Sequence, residues 1–134
     1  MTKEEKELLK KDIFARIPYG VKVQVLDWDE EAEEEIEVIA EVYEINRDGY
    51  LRCSDIDYQY NVDNVKLMLR RMDSMSEKEE EEWNLICGMS GYDMNEYNVF
   101  QGSHWLNSHF FDYKGLIERG LAIEAPEGTY KLNE

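Results

Sequence analysis

The fold of this chain is decided by residues 19–53, which read YGVKVQVLDWDEEAEEEIEVIAEVYEINRDGYLRC. Apolar and polar residues alternate over residues 21–25 and again over residues 36–42, which is the period of a strand with one buried face. Residues 46–49 read NRDG and predict a turn, because Asp and Gly tolerate positive φ. Residues 50–53 then return as a third strand. The stretch therefore predicts an antiparallel meander.

Shorter signals complete the β region. Residues 27–34 are mostly acidic and predict a charged connection between the first two strands. Alternation returns over residues 58–62, residues 63–65 fit a single helical turn, and residues 66–70 predict a fifth strand. This layout is that of a small barrel, so residues 19–72 are predicted to form a small five-stranded antiparallel SH3-like β unit. Such a topology fixes no function.

A helix is predicted over residues 1–18. Thr2 and Glu5 fit a capping box, in which each side chain accepts a hydrogen bond from the backbone N–H of the other residue. Pro18 ends the helix, because proline lacks a backbone donor and disfavours helix before it. The apolar stripe that faces the core is predicted to contain Leu9, Ile13, Phe14 and Ile17.

The C-terminal region, residues 73–134, is predicted to be mainly helical and to pack on the β unit, so that the whole chain forms one compact α+β domain. Ser76 and Glu79 form a second capping box, and the acidic residues that follow Ser76 suit the positive N-terminal end of a helix. The buried side of this helix is predicted to carry Trp83, Ile86 and Cys87.

Less regular segments follow that helix. Residues 88–102 predict a loop, and Ser103 and Asp112 are each predicted to cap a short helix. Residues 121–123 and 129–132 flank a turn that contains proline and glycine. We therefore expect the chain to end in a short hairpin.

The charge of the chain argues against several classes of function. There are 31 acidic and 15 basic residues, which gives a net charge of −16. Nucleic-acid phosphates and anionic lipid surfaces are bound by clustered cations, so we expect no nucleic-acid partner and no membrane partner. A protein partner with a basic surface fits this charge. No apolar run follows the N-terminus, and two cysteines suit reduced thiols, so we expect a cytoplasmic protein.

The acidic residues are concentrated in one segment. Residues 27–44 hold ten of them and no basic residue. Alternate carboxylates are typical of a calcium loop, but an EF-hand needs Gly at its sixth position and Glu at its twelfth, where this chain has Ala32 and Val38. Two interpretations stay open, a solvated face and weak cation binding. Both predict that salt stabilises the fold, because salt screens repulsion between carboxylates.

No residue is predicted to be catalytic, to bind a cofactor or to bind a metal. His104 and His109 are five residues apart, whereas a metal-binding pair on a helix needs a spacing of four. His109 and Asp112 could orient each other across a turn, and Cys87 lies in no known nucleophile signature. The sequence also lacks a phosphate-binding glycine loop. No cofactor is therefore expected.

Four aromatic residues are concentrated near the end of the chain. Aromatic side chains bury a large area with few rotatable bonds, so they anchor both protein interfaces and hydrophobic cores. An interaction surface and a part of the core are both open interpretations for Trp105, Phe110, Phe111 and Tyr113.

Residues 19–23, 43–50, 105–118 and 120–128 resemble a family of small acidic proteins of unassigned function that are encoded by gut Bacteroides and their phages. Residues 67–71 read LMLRR, where that family commonly has Pro-Tyr-Leu-Arg-Pro. The resemblance implies an accessory protein of a phage or mobile element. It implies no activity, cofactor or site.

Three hypotheses about function follow. The leading one is a non-enzymatic accessory protein that binds a protein partner, which a flat exposed apolar patch would favour. The first alternative is an acidic mimic of nucleic acid that occupies the DNA-binding cleft of a host enzyme, which carboxylates spaced like phosphates would favour. The second alternative is an enzyme with an unrecognised site, which a deep pocket with convergent polar groups would favour.

Overall fold

The computed structural model of the protein describes residues 1–54, 59–89 and 96–131. The α-helices are α1 (Lys3–Arg16), α2 (Glu77–Met89) and α3 (Glu96–Ser108). The strands are β1 (Lys22–Asp29), β2 (Glu34–Ile45), β3 (Tyr50–Cys53), β4 (Tyr60–Asn61), β5 (Lys66–Leu69) and β6 (Ala122–Glu124). Short 3₁₀ helices cover Ile17–Tyr19, Val62–Asn64 and Met72–Ser74. The predicted α+β class and the N-terminal helix are confirmed.

The described strands form one six-stranded sheet in the order β4-β3-β2-β1-β5-β6. Strands β1 to β5 pair antiparallel, as the alternation predicts, whereas β6 lies parallel to β5. The prediction of a terminal hairpin is wrong, because β6 pairs with β5 and residues 129–131 form no strand. The reason lies in β5, whose residues 67–69 are buried and therefore need hydrogen-bond partners for their outer backbone groups.

The β1–β2 hairpin is longer than the sequence predicts. Its pairing continues through the charged residues 27–34 and ends with Asp29 opposite Glu34. A carboxylate oxygen of Asp29 accepts a hydrogen bond of 3.0 Å from the backbone N–H of Glu31, which closes the turn. The predicted charged connection is therefore half strand, at residues 27–29 and 34, and half turn, at residues 30–33.

Helix α1 begins with the predicted capping box. The Thr2 and Glu5 backbone N–H groups each donate a 3.0 Å hydrogen bond to the side chain of the other residue. Leu9 and Ile13 are buried, as predicted, but Phe14 is 69% exposed. The prediction that Phe14 belongs to the apolar stripe is wrong, because each residue turns the helix by about 100° and places Phe14 beside the buried face that contains Ile13.

Helix α2 begins with the second predicted capping box, between Ser76 and Glu79. The predicted loop over residues 88–102 is wrong for its second part, because α3 already begins at Glu96, and residues 90–95 lie outside the described residues. Ser103 consequently lies inside α3 and caps no helix. The helix continues on both sides of Ser103, so no helix begins there that its side chain could cap.

Asp112 caps a turn and not a helix. Its two carboxylate oxygens accept hydrogen bonds of 2.9 Å from the backbone N–H groups of Leu116 and Ile117. Residues 116–120 form turns, so the short helix predicted after Asp112 is absent there. Asp112 therefore binds this backbone, whereas His109 contacts the Trp105 carbonyl and Glu82.

The hydrophobic core lies on the inner face of the sheet, where α1 and the segment after α3 cover it. Its buried members include Leu9, Ile13, Val21, Val23, Val25, Val42, Leu51, Leu67, Leu69, Phe110, Leu116 and Leu121. None of the helices in the described ranges is both long and apolar enough to cross a membrane.

Candidate functional site

The structure divides the four aromatic residues for which an interaction surface and a part of the core are both open interpretations, Trp105, Phe110, Phe111 and Tyr113. Phe110 and Phe111 are buried, and the other two are half-buried. The ring of Phe110 stacks on Tyr130 with 3.7 Å between ring centroids, and the Arg70 guanidinium lies 4.3 Å from the centroid of Phe111. Two of the four rings therefore belong to the core and cannot contact a partner in this conformation.

Arg70 and Glu79 form a bidentate ion pair beside this aromatic cluster. Two Arg70 nitrogens each donate a 2.7 Å hydrogen bond to a carboxylate oxygen of Glu79, whose side chain is 2% exposed. Burial alone would raise the pKa of Glu79, but hydrogen bonds from Arg70 and from the backbone N–H of Ser76 outweigh it and lower the pKa to about 2. The ion pair connects α2 to the residue that follows β5. Both carboxylate oxygens of Glu79 are used in it, so the carboxylate is not available as a catalytic base.

The two histidines have structural partners. The Tyr19 hydroxyl contacts Nδ1 of His104 at 2.5 Å. Nδ1 of His109 lies 2.9 Å from the Trp105 carbonyl, and its Nε2 lies 4.0 Å from a carboxylate oxygen of Glu82. Among residues 1–54, 59–89 and 96–131 we find no group of three or more His, Cys, Asp or Glu side chains that could hold a metal ion.

The remaining candidates for chemistry are also occupied. Cys53 is a buried free cysteine, and burial raises the pKa of its thiol to about 11, so the thiol is protonated at neutral pH. A groove of about 490 Å³ is lined by Arg70, Arg71, Ser74 and Tyr130, among other residues. Its two arginines form salt bridges, Arg70 with Glu79 at 2.7 Å and Arg71 with Asp73 at 3.3 Å. Both arginines of the groove are therefore paired, and its other charged lining residues are Glu124 and Glu127.

A different surface exposes large apolar side chains that do not contribute to the hydrophobic core. The outer face of the β1–β2 hairpin presents Leu26, Ile39 and Tyr43, which are 55%, 50% and 52% exposed. Gln24 lies opposite Ile39 and Leu26 lies opposite Glu37, so Leu26 and Ile39 are diagonal neighbours across the two strands. We call this outer surface of residues 24–26 and 35–43 the hairpin face.

The hairpin face is acidic around its apolar residues. Glu35, Glu37 and Glu41 share the outer side of β2 with Ile39 and are exposed. Lys22, at the start of β1, does not neutralise them, because its Nζ donates a 2.7 Å hydrogen bond to the carbonyl of Thr129. The exposed apolar side chains of the face are thus bordered by glutamates, of which Glu37 accepts a 3.2 Å hydrogen bond from the side-chain amide of Gln24.

The sequence contained a signal for this site that the charge pattern obscured. In an alternating strand with one buried side, outward positions are expected to be polar. Leu26, Ile39 and Tyr43 occupy outward positions and are apolar or aromatic. The acidic run in the same segment conceals this signal, because it also fits cation binding or a solvated face.

No protein-family model matches the chain, and no curated protein and no solved structure matches it either. Function is therefore inferred from the geometry of the hairpin face.

Proposed function

We propose that this chain is a non-enzymatic binding protein and that the hairpin face docks a protein partner with a basic surface. The supporting observation is the combination of three exposed large side chains, Leu26, Ile39 and Tyr43, with a border of glutamates. An apolar centre with a polar border is the usual anatomy of a protein interface. The acidic border selects a basic partner and accelerates its encounter.

The proposal includes the wider setting of the chain. The resemblance to proteins of gut Bacteroides and their phages supports an accessory role in a phage or mobile element. We also propose that strands β1 to β5 form an SH3-like arrangement, which the strand order β4-β3-β2-β1-β5 supports. The site of action is proposed to be the cytoplasm.

The nucleic-acid mimic is the weaker of the two binding hypotheses. Outward side chains on one strand are about 6.7 Å apart, so a mimic of phosphates needs an unbroken row of carboxylates. On β2 the row runs from Glu35 to Glu37, is interrupted by Ile39 and resumes at Glu41. An exposed apolar side chain in that row suits a protein interface better than a substitute for a phosphate backbone.

Affinity capture with matched variants tests the proposed function. The wild-type protein, a hairpin-face variant (Leu26→Ser, Ile39→Ser and Tyr43→Ser) and a control variant (Phe14→Ser and Leu85→Ser) are immobilised and exposed to an extract of the native host. The control removes apolar side chains that are 69% and 68% exposed elsewhere. Circular dichroism first verifies that all three proteins fold.

The expected result is a basic protein that the wild type and the control retain and that the hairpin-face variant loses. Its binding should weaken as sodium chloride is added, because salt screens the glutamates. Isothermal titration with the purified partner then measures the loss. The same captured proteins on wild type and hairpin-face variant would refute the assignment of this face.

A further inference from the structure

Hydrogen bonds show which backbone N–H and C=O groups of β1 point towards β2 and which point away from it. The N–H of Val42 donates a 2.9 Å bond to the carbonyl of Val21, which marks these two residues as a hydrogen-bonded pair. In an antiparallel ladder, hydrogen-bonded and non-hydrogen-bonded pairs alternate. The register from Lys22 to Asp29 is unbroken, so the pair formed by Leu26 and Glu37 is a non-hydrogen-bonded one. The backbone groups of Leu26 therefore point away from β2.

Two other bonds agree with this assignment. Lys22 is four residues before Leu26, so the backbone groups of both residues point to the same edge of β1. The N–H of Lys22 donates a hydrogen bond to the hydroxyl of Tyr130, on the side of β5. On the opposite edge of the hairpin, the carbonyl of Glu41 accepts from the N–H of Ser54. Both Lys22 and Glu41 belong to a non-hydrogen-bonded pair, and both direct their backbone groups outward, as the alternation requires.

Strand β5 covers only the first part of this edge of β1. Its pairing with β1 ends at Gln24, opposite Lys66. The chain before β5 turns towards α1, where Asp63 lies 3.7 Å from Lys6. In the described part of the chain, the outward N–H and carbonyl of Leu26 consequently have no hydrogen-bond partner.

We propose that the free edge of β1 at residues 26–28 accepts an extended segment of the partner as an additional antiparallel strand. This proposal rests on the proposed function and specifies how the partner binds. Main-chain hydrogen bonds to an exposed edge supply affinity in this mode, and alternate side chains supply specificity. The exposed side chain of Leu26 on the outer face would contact the outward side chains of the added strand.

The side chains that flank this edge determine the chemistry of the segment. Side chains of the added strand alternate between the two sides of the sheet. On the outer side they meet Leu26, beside its cross-strand neighbour Glu37, and on the other side they reach Asp29. The fitting segment therefore alternates apolar residues with Lys or Arg.

The same charges disfavour a second copy of this chain as the occupant. A copy would place its own acidic strand against the acidic edge, and like charges opposite each other across strands are destabilising. Charged residues on an edge are a known protection against self-pairing. The acidic edge therefore disfavours pairing with a second copy of this chain and still allows pairing with a basic segment.

The test uses three short, acetylated and amidated peptides with a fluorescein label. The first alternates lysine and valine, the second has the same composition with its lysines contiguous, and the third is the first with every second backbone amide methylated. Fluorescence anisotropy measures their affinity for the full-length protein. The first peptide should bind about tenfold more tightly than either of the others. The second keeps its backbone donors but loses the alternation of apolar and basic side chains, and the third loses one or two main-chain hydrogen bonds.

Amide exchange identifies the edge directly. On addition of the alternating peptide, exchange at the N–H of Leu26 should slow about tenfold, whereas the N–H of Glu37, on the other edge of the hairpin, should be unchanged. Leu26→Pro removes the outward donor, and Leu26→Ala retains it. The proline variant should lose binding of the alternating peptide, and the alanine variant should retain most of it.

Two results would overturn the proposal. Absence of binding by the alternating peptide is one. Equal binding of all three peptides without protection at Leu26 is the other, and it would leave the hairpin face as a surface for a folded basic protein. The capture experiment decides that proposed function independently, because it does not require an extended partner.

Discussion

Replacing Glu79 with Gln should destabilise the protein much more at neutral pH than in acid. The substitution removes the charge but retains an oxygen that can accept from Arg70 and from the N–H of Ser76. The pKa of Glu79 falls from its ordinary 4.5 to about 2 in the folded protein. At about 1.36 kcal/mol for each pH unit, this fall corresponds to roughly 3 kcal/mol of stability at pH 7.

The sign of the pH dependence follows from the direction of this change. A carboxylate whose pKa is lower in the folded state stabilises the fold above its unfolded pKa, near 4.5, and the contribution disappears as the pH falls through about 2. At pH 3 roughly 1.4 kcal/mol of the contribution remains. The penalty for Glu79→Gln should therefore shrink by somewhat more than half between pH 7 and pH 3.

Urea denaturation followed by tryptophan fluorescence measures the free energy of unfolding at both pH values. The matched control is Glu81→Gln, because Glu81 lies on the same helix and is exposed. The control should change stability by less than about 0.5 kcal/mol at either pH. An equal penalty for Glu79→Gln at pH 7 and pH 3 would show that packing, and not the charge, accounts for its effect.

Three further predictions concern other contacts. Asp12→Ala leaves the buried Arg16 without its 3.0 Å partner and should cost about 3–5 kcal/mol in urea denaturation; a double replacement by Leu and Met should recover most of it. Tyr130→Phe removes the hydroxyl that binds the N–H of Lys22 and should cost about 1–3 kcal/mol, with Tyr43→Phe as the neutral control. Sodium chloride and calcium should each raise the melting temperature modestly; a large rise with calcium alone at matched ionic strength would indicate a metal site among residues 27–44.

The sequence predicts those parts of the fold that depend on local signals. The alternation over residues 21–25 and 36–42 identifies two strands, because burial of one side imposes a period of two. The turn at residues 46–49 and the capping boxes that begin with Thr2 and Ser76 are also local, and the structure contains all of them. In each case the interacting groups lie within four residues of one another.

The elements that the sequence does not predict depend on distant partners. Strand β6 exists because it pairs with β5, more than 50 residues earlier in the chain. The distal half of the hairpin carries acidic residues on both sides, at Asp27 and Asp29 as well as at Glu35 and Glu37, so no period of burial reveals it. Backbone pairing with the opposite strand, which leaves no trace in composition, is what extends it.

The candidate site could be predicted only in part. The expectation of a basic protein partner follows from net charge. Of the aromatic cluster, for which surface and core are both open in the sequence, Phe110 and Phe111 pack in the core. The apolar residues of the hairpin face become evident once the register fixes which side of β1 and β2 is buried. An exposed Leu26 or Ile39 is ambiguous in sequence, because a strand with both faces buried would have the same residues.

The contacts that stabilise the fold and the residues proposed for binding do not overlap. The buried pairs of Asp12 with Arg16 and of Arg70 with Glu79 join α1 and α2 to the core, away from the exposed Leu26. We therefore expect Leu26→Ser to change the free energy of unfolding by less than about 1 kcal/mol and still to weaken binding of the basic partner. Glu79→Gln should do the reverse, and titrations well below its melting temperature should give the wild-type affinity. If Leu26→Ser instead lowered stability as much as Glu79→Gln does, the projecting half of the hairpin would be part of the folded core and unsuitable as a free docking surface.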